Sequence, residues 1–467
     1  MTKQYCFLVI YLLLSTKIFA QKIHFSGEID IQGLTSAGEE LPFWMYSNTR
    51  GRVSDNSNFM GVISSELSYN PSPVSSLEVG SGVFYSDGLS HDIFFDELYL
   101  EYNYKWLGVT TGRKQYDELY NGLSASNENI LWSLNSRPIP GIQIRTEYPI
   151  FFSSRQVFGF EASYSEYRLE AERFMRRANI HHKFFRLIFN SQDFQFKIGL
   201  QHFAQWGGTS KVKGKQPDTL EAYLRIITGK AGTENASIGD QSNALGNHLG
   251  GYEIYITKSF AAFNAELIYN HLFDDKSGMR LGNTPDGRYG LFINLKEQKW
   301  LDSFIYEFYY TKHQSSTTSG AHIWDNYFNN FLYRSGWTYE ERVIGTPFFV
   351  PNHYDEEHAA GFIRIGNNKF IAHHIGISGK LWSKYPYRVL TSYRRNYGHY
   401  QIAGDYKSEY YPPEDIRGKN KIQPEVTSSL LEITYPNSFF NVTFTFGGDF
   451  SSTETNLGFG INLKKQL

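Results

Sequence analysis

Hydrophobic and polar residues alternate with a period of two through most of this chain. Ile23, Phe25, Ile29 and Ile31 fall on one side of an extended ribbon, and His24, Ser26, Glu28, Asp30 and Gln32 on the other. The beat returns at Phe194, Phe196, Ile198 and Leu200, and again at Tyr289, Leu291, Ile293 and Leu295. Near the end, Phe440, Val442, Phe444 and Phe446 oppose Asn441, Thr443 and Thr445; Leu457, Phe459, Ile461 and Leu463 oppose Gly458, Gly460, Asn462 and Lys464. Turn-forming clusters separate the runs, as at Asn70-Pro71-Ser72-Pro73, Asn283-Thr284-Pro285-Asp286-Gly287 and Tyr411-Pro412-Pro413. No helical period persists, and no solenoid repeat is present. The pattern predicts an all-β protein of many amphipathic antiparallel strands.

Two stretches break the alternation. Leu34 to Asn58 is polar, with Pro42 placed to open a helical turn or two through Phe43, Trp44, Met45 and Tyr46. Gln115 to Asn135 is the other. Each reads either as a surface loop or as a segment folded into an enclosed lumen. At the front, Lys3 precedes an apolar run, Cys6 to Leu14, and Ala20 offers a small residue for cleavage; the run reads as a Sec signal peptide too short to span a bilayer. The expected organisation is a signal peptide over 1–20, a strand with a short helical plug segment over 21–58, and a barrel over 59–467.

Two architectures fit such strands, a soluble β-sandwich or propeller and an outer-membrane barrel, and composition favours the barrel. Of 467 residues, 17% are aromatic, with 8 Trp, 34 Tyr and 37 Phe, more than a soluble core of this size uses. An outer-membrane barrel consumes such a surplus in girdles at both bilayer interfaces, and doublets such as Tyr309-Tyr310, Phe184-Phe185, Phe348-Phe349, Tyr410-Tyr411 and Phe439-Phe440 are spaced as girdle residues would be. At roughly 25 residues per strand and connection, the chain yields about 18 transmembrane strands. The terminal residue is Leu467 rather than an aromatic. A net charge of -2 gives no footprint for nucleic acid. The single Cys lies in the leader, so thiolate catalysis, disulfides and Cys-based zinc sites are excluded from the processed chain.

A series of longer motifs then appears in fixed order. They are Glu40-Leu41-Pro42-Phe43-Trp44; Ser133-Leu134-Asn135-Ser136-Arg137-Pro138-Ile139-Pro140-Gly141; Gln205-Trp206-Gly207-Gly208; and Gly239-Asp240-Gln241-Ser242-Asn243-Ala244-Leu245-Gly246-Asn247-His248. Next come His271-Leu272-Phe273-Asp274-Asp275-Lys276-Ser277-Gly278-Met279 and Asp286-Gly287-Arg288-Tyr289-Gly290. Asp325-Asn326-Tyr327-Phe328-Asn329-Asn330, Gly336-Trp337-Thr338-Tyr339 and Ile344-Gly345-Thr346-Pro347 complete the series. From about Glu40 onward the chain resembles the Wzi-like capsule assembly family of outer-membrane barrels. The resemblance implies an 18-stranded barrel plugged at the periplasmic side by helical elements. It also implies a monomeric, non-catalytic surface lectin that helps tether capsular or exopolysaccharide, embedded among outer-membrane lipid and lipopolysaccharide. The pre-barrel segment here is modest, which bears on the size of any plug.

The residues themselves point to sugar chemistry in one block. Carbohydrates are held by stacking C–H faces on rings and by fanning amides, carboxylates and guanidinium groups onto hydroxyls. Trp324, Asp325, Asn326, Tyr327, Asn329, Asn330, Arg334, Trp337 and Tyr339 supply that mixture; the same residues also suit a girdle with turn-shaping amides. Arg137, fixed before Pro-Ile-Pro, reads as a lumen ion pair with a carboxylate or as an anion contact to an acidic sugar or lipopolysaccharide phosphate. Asp274 to Gly278 and Asn283 to Gly287 lack the alternating oxygen ligands of calcium loops and read as tight turns. His353-Tyr354-Asp355-Glu356-Glu357-His358 has its histidines on neither one helix face nor one strand face. No Gly-x-Ser-x-Gly, His-Glu-x-x-His or Walker motif occurs, and no cofactor is called for. Three functions are therefore weighed: a polysaccharide-anchoring barrel, a porin or uptake channel, and an outer-membrane hydrolase.

Overall fold

In the computed structural model the described residues are 23–89, 93–297, 299–315, 325–351, 365–399 and 422–467. The wall has 18 strands. They are β1 (Ile23–Ser36), β2 (Phe59–Ser72), β3 (Ser75–Ser86), β4 (Ile93–Tyr104), β5 (Leu107–Arg113) and β6 (Gly141–Thr146). Then follow β7 (Phe158–Arg168), β8 (Asn179–Ser191), β9 (Phe194–Trp206), β10 (Asn247–Ser259), β11 (Phe263–Phe273) and β12 (Gly287–Leu295). The last six are β13 (Ser303–Tyr310), β14 (Phe370–Leu381), β15 (Tyr385–Asn396), β16 (Glu425–Tyr435), β17 (Asn441–Ser451) and β18 (Thr455–Gln466). Each pairs antiparallel with its neighbours in sequence, and β18 returns to β1 with Ile461 opposite Gly33, so the sheet closes without an edge. β1, which in sequence adjoins the plug segment, is thus itself part of the wall.

The alternation reads out as the pattern predicts. Phe25, Ile63, Leu67, Phe185, Leu187, Ile198, Leu200, Phe446 and Ile461 are exposed on the outer surface. Their inward neighbours Arg186, Gln201 and Thr445 are buried, as are Glu101, Glu253 and Ser428. A ribbon whose apolar face is left exposed and whose polar face is buried is the inverse of a water-soluble sandwich and the arrangement of a transmembrane barrel.

Connections alternate in length. Those over 73–74, 105–106, 192–193, 260–262 and 382–384 are short; those over 37–58, 114–140, 207–246, 311–369 and 397–424 are long and lie at the opposite end. Barrels of this class turn short connections to the periplasm and long ones outward.

Several of the long connections fold into the lumen, with little help from helices. Segment 37–58 carries α1 (Phe43–Tyr46), whose Phe43, Trp44 and Met45 are buried. Room for it is cut by Gly447 and Gly458, which face each other across β17 and β18; a Cβ on Gly447 would stand 2.6 Å from the Met45 sulfur. Segment 114–140 plunges through the barrel. Asn121 reaches Ser303 Oγ at 2.6 Å and Tyr120 donates to Glu266 at 2.8 Å, both toward the short-turn end. The chain then climbs past Glu307, Glu253 and Gln201 to Trp132, which stacks on Phe203 at 5.6 Å and on His182 at 5.8 Å. Both sequence stretches that break the alternation therefore enter the lumen. Among the described residues the plug runs from the long-loop end down to the short-turn end, with α1 and a single turn at Tyr120–Gly122 as its helical pieces, so its helical content is small.

The aromatic surplus also divides differently from expectation. Phe185 and Phe439 point outward, but Tyr309, Phe348 and Phe349 are fully buried. Phe348 stacks on Phe43 at 5.9 Å and meets Tyr309 edge-on at 5.1 Å, so Phe348, Phe349 and Tyr309 form an interior core rather than a girdle. Tyr410-Tyr411 lies outside the described residues.

Candidate functional site at the long-loop end

The block that combines sugar-binding side chains folds as the seat of the plug. Tyr327 is fully buried; its hydroxyl donates to Asp286 Oδ2 at 2.7 Å and accepts from Asn283 Nδ2 at 2.6 Å. Asp286 also accepts the backbone N–H groups of His313 and Gln314 at 2.9 and 2.7 Å. Burial lifts its carboxyl from the usual carboxylate range to about 7. Asp325 accepts from Ser315 Oγ at 2.7 Å, and burial holds its carboxyl up at about 6. Asn326 Oδ1 accepts from Asn329 and Asn368, while Asn329 clasps the backbone of Ile365 with both ends of its amide. Asn330 Oδ1 caps the N–H groups of Leu332 and Tyr333. Trp337 and Tyr339 are buried, Trp337 edge-on to Phe203 and Tyr339 accepting from Arg113 at 3.0 Å. Arg334 lies over Phe174 at 4.8 Å, half-buried at the margin. Trp324 and the His353–His358 run lie outside the described residues.

Arg137 is buried beside this seat. Its guanidinium lies over Phe94 at 3.6 Å and faces Glu340 at 3.9 Å, and Nε donates to Gly51 O. The cation–π contact with Phe94 is a feature that sequence did not reveal. Residues Asn283 to Gly287 make a turn, with Asp286 N donating to Asn283 O at 2.9 Å; Asp274 to Gly278 leads into another short turn, Asp275 capping Ser277 N at 2.7 Å.

Above the seat the connections leave an open cleft of about 350 Å³. It is assembled from 40–56, 88–89, Asn135 and 340–351, segments far apart in the chain. Its floor is aromatic: Phe43, Tyr46 and Phe349. Its walls carry the carboxylates of Glu40, Asp55, Glu340 and Glu341 against the guanidinium of Arg342, which donates to Val53 O at 2.7 Å and covers the Tyr46 ring at 5.2 Å. The Ser47 hydroxyl lines the cleft, buried and with no hydrogen-bond partner among the described residues. Glu340 and Glu341 occupy the two central positions of a tight hairpin at φ 47° and 65°, where Asn-Gly is the unstrained choice. Two consecutive glutamates held in left-handed backbone concentrate negative charge at the cleft mouth. Three of the sequence motifs touch this cleft, through Glu40 and Phe43, Asn135, and Pro347; Tyr46, Asp55 and the Glu340–Arg342 hairpin that complete it have no such signal.

The family model described as "Capsule assembly protein Wzi" matches residues 19–354. The chain belongs to this family. Among solved structures, this Wzi-family barrel is similar to Wzi of Escherichia coli, an outer membrane protein involved in group 1 capsule assembly and a carbohydrate binding β-barrel. The TM-score is 0.57 at 12% identity, over 98% of this chain and 88% of that one. Two Pseudomonas aeruginosa proteins also align: OccK3, TM-score 0.49 at 6% identity over 97% of both chains, and OccK5, TM-score 0.47 at 9% identity over 96% of this chain and 99% of that one. At these identities the likeness is one of fold. No curated protein matches the chain. The Wzi-family assignment and the inverted barrel wall together make this an outer-membrane β-barrel.

Proposed function

We propose that this barrel binds a capsular or exopolysaccharide at the long-loop cleft and so retains the polymer at the cell surface, without catalysing a reaction on it. The observation that carries the reading is the cleft itself, in which an aromatic floor meets a ring of carboxylate, amide and hydroxyl groups on a family scaffold associated with capsule assembly. With Glu340 facing Arg137, the other three carboxylates stand against the single guanidinium of Arg342, an excess that disfavours uronate-rich segments and favours neutral or amino-bearing hexoses. Among the described residues of the sugar-type block, Asn326, Asn330 and Arg334 keep partly exposed side chains and are its candidates for direct contact; its buried members hold the cleft in shape. The filled lumen argues against the porin reading.

The test is a deletion strain complemented with wild type or with Tyr46→Ala/Glu341→Ala. Polymer shed into the medium by the deletion and by the double variant, with synthesis intact, supports the proposal. Polymer retained as in wild type by the deletion strain overturns it.

A further inference from the structure

The connection over 207–246 does not enter the lumen. It bends outward and lies against the outer wall, where α2 (Leu220–Thr228) is set between an N-cap at Thr219, whose hydroxyl accepts from Ala222 N at 3.2 Å, and a left-handed Gly229 at φ 62°. Ala222 and Ile226 pack on Ala204, Trp206 and Leu245. Ala204 and Trp206 continue the outward face of β9 that begins with Ile198 and Leu200. Beneath the helix, the outward positions of β7 to β10 are polar: Glu166, His181, Lys183, His202 and His248. The helix and its flank roof this patch. Tyr223 donates to Glu166 at 2.7 Å, Lys183 donates to Ile227 O, and His248 bonds Leu245 O at 2.8 Å, so Glu166, Lys183 and His248, which would otherwise face hydrocarbon, gain partners from the roof.

The opposite face of α2 is apolar and unpartnered. Leu220 and Leu224 are 74% and 51% exposed, four residues apart on one helical face, and Ile238 on the following short helix α3 (Ile238–Ser242) is 84% exposed. A short helix with its outer face greasy, lying flat at the rim of a lipid-facing wall, is an interfacial element. Beside it, between 168–179 and 208–218, is a cavity of about 550 Å³. Arg168, Arg176, Arg177 and Lys215 line it, against Glu172 and Asp218, and Asp218 is itself paired with Lys215 at 2.9 Å.

We infer that this rim is a docking site for a phosphorylated glycolipid of the outer leaflet: the arginine-lined cavity takes the sugar-bound phosphate and the Leu220/Leu224 stripe lies along the acyl chains. Guanidinium forks match phosphate oxygens in pairs, and the cavity and the stripe adjoin on the same outward surface at the long-loop end, where a headgroup and its chains would meet the barrel together. The inference is independent of the polymer-binding cleft.

The experiment measures retention of bisphosphorylated lipid A, dephosphorylated lipid A and inorganic pyrophosphate on the detergent-purified full barrel by native mass spectrometry. Wild type is expected to hold the bisphosphorylated form at least about tenfold more tightly than the dephosphorylated one. Arg176→Glu/Arg177→Glu removes that preference, and Leu220→Ser/Leu224→Ser weakens lipid A without changing pyrophosphate. Equal retention of the two lipids by wild type, which needs no variant to fold, overturns the inference. A preference untouched by the leucine changes and fully competed by pyrophosphate also overturns it, leaving a site for free anions. Retention of the boiling-dependent gel shift verifies that each variant remains a folded barrel.

Discussion

Arg288 and Glu307 form an ion pair inside the barrel at 2.6 Å, with both side chains fully buried. They stand on adjacent strands, β12 and β13, and between them they pin the descending segment. Glu307 accepts from Ser124 Oγ at 2.7 Å and Ala125 N at 2.8 Å, while Arg288 donates to the carbonyls of Glu128 and Asn127. Removing one member of such a pair strands the other charge in a dry site, which costs about 3–5 kcal/mol. Glu307→Ala is therefore expected to loosen segment 114–140 and raise single-channel conductance in planar bilayers well above the wild-type level. Conductance equal to wild type would place the seal elsewhere.

Asp286 gives a pH dependence with a definite sign. Its carboxyl is lifted by burial to about 7, from an unfolded value near 3.8. A carboxyl raised on folding contributes stability that is complete below its unfolded value and is lost as pH rises through the folded one. The clasp on His313, Gln314 and Tyr327 should thus loosen between about pH 4 and pH 7. Amide hydrogen exchange at residues 313 and 314 should quicken, beyond the intrinsic base-catalysed rise, across that window in wild type, and Asp286→Asn should flatten the excess.

The glycine pair behind α1 sets a steric test. Any side chain at Gly447 meets Met45 and Pro42, so Gly447→Val is expected to displace α1 without breaking the β17–β18 ladder. Overpacking of this kind costs about 1–3 kcal/mol. Protease sensitivity within 37–58 should rise while the heat-dependent gel shift persists; loss of the shift would mean that the wall itself depends on that window.

Trp132 anchors the returning limb of segment 114–140 through its stacks on Phe203 and His182. Trp132→Ala should lower the unfolding midpoint, with an expected loss of about 3–5 kcal/mol, whereas Trp132→Phe should recover most of it. A neutral alanine variant would show that the limb is held by its polar contacts alone.

How far each feature could be read from sequence depended on the range of the contacts that make it. The wall was legible because alternation is a local property: Phe444, Thr445 and Phe446 declare their faces within three residues, and the environment reverses only which face is buried. The plug was visible only as a lapse of alternation. What Ser124 or Asn129 binds is fixed by Glu307 and Glu253, far away in sequence. Phe348-Phe349 looked like a girdle doublet because composition cannot tell a ring that faces lipid from one that fills a lumen. The cleft was least legible, since Tyr46, Asp55, Asn135 and Glu341 share no motif and become neighbours only once the lumen is packed.

That packing has a mechanical consequence. A pull on the hairpin at Glu340 and Glu341 is carried through Arg137 and Tyr339 to Phe94 and Arg113, and from there into strands β4 and β5. A tether fastened at the mouth would load the whole cylinder as a rigid bollard, rather than tug on a slack hinge.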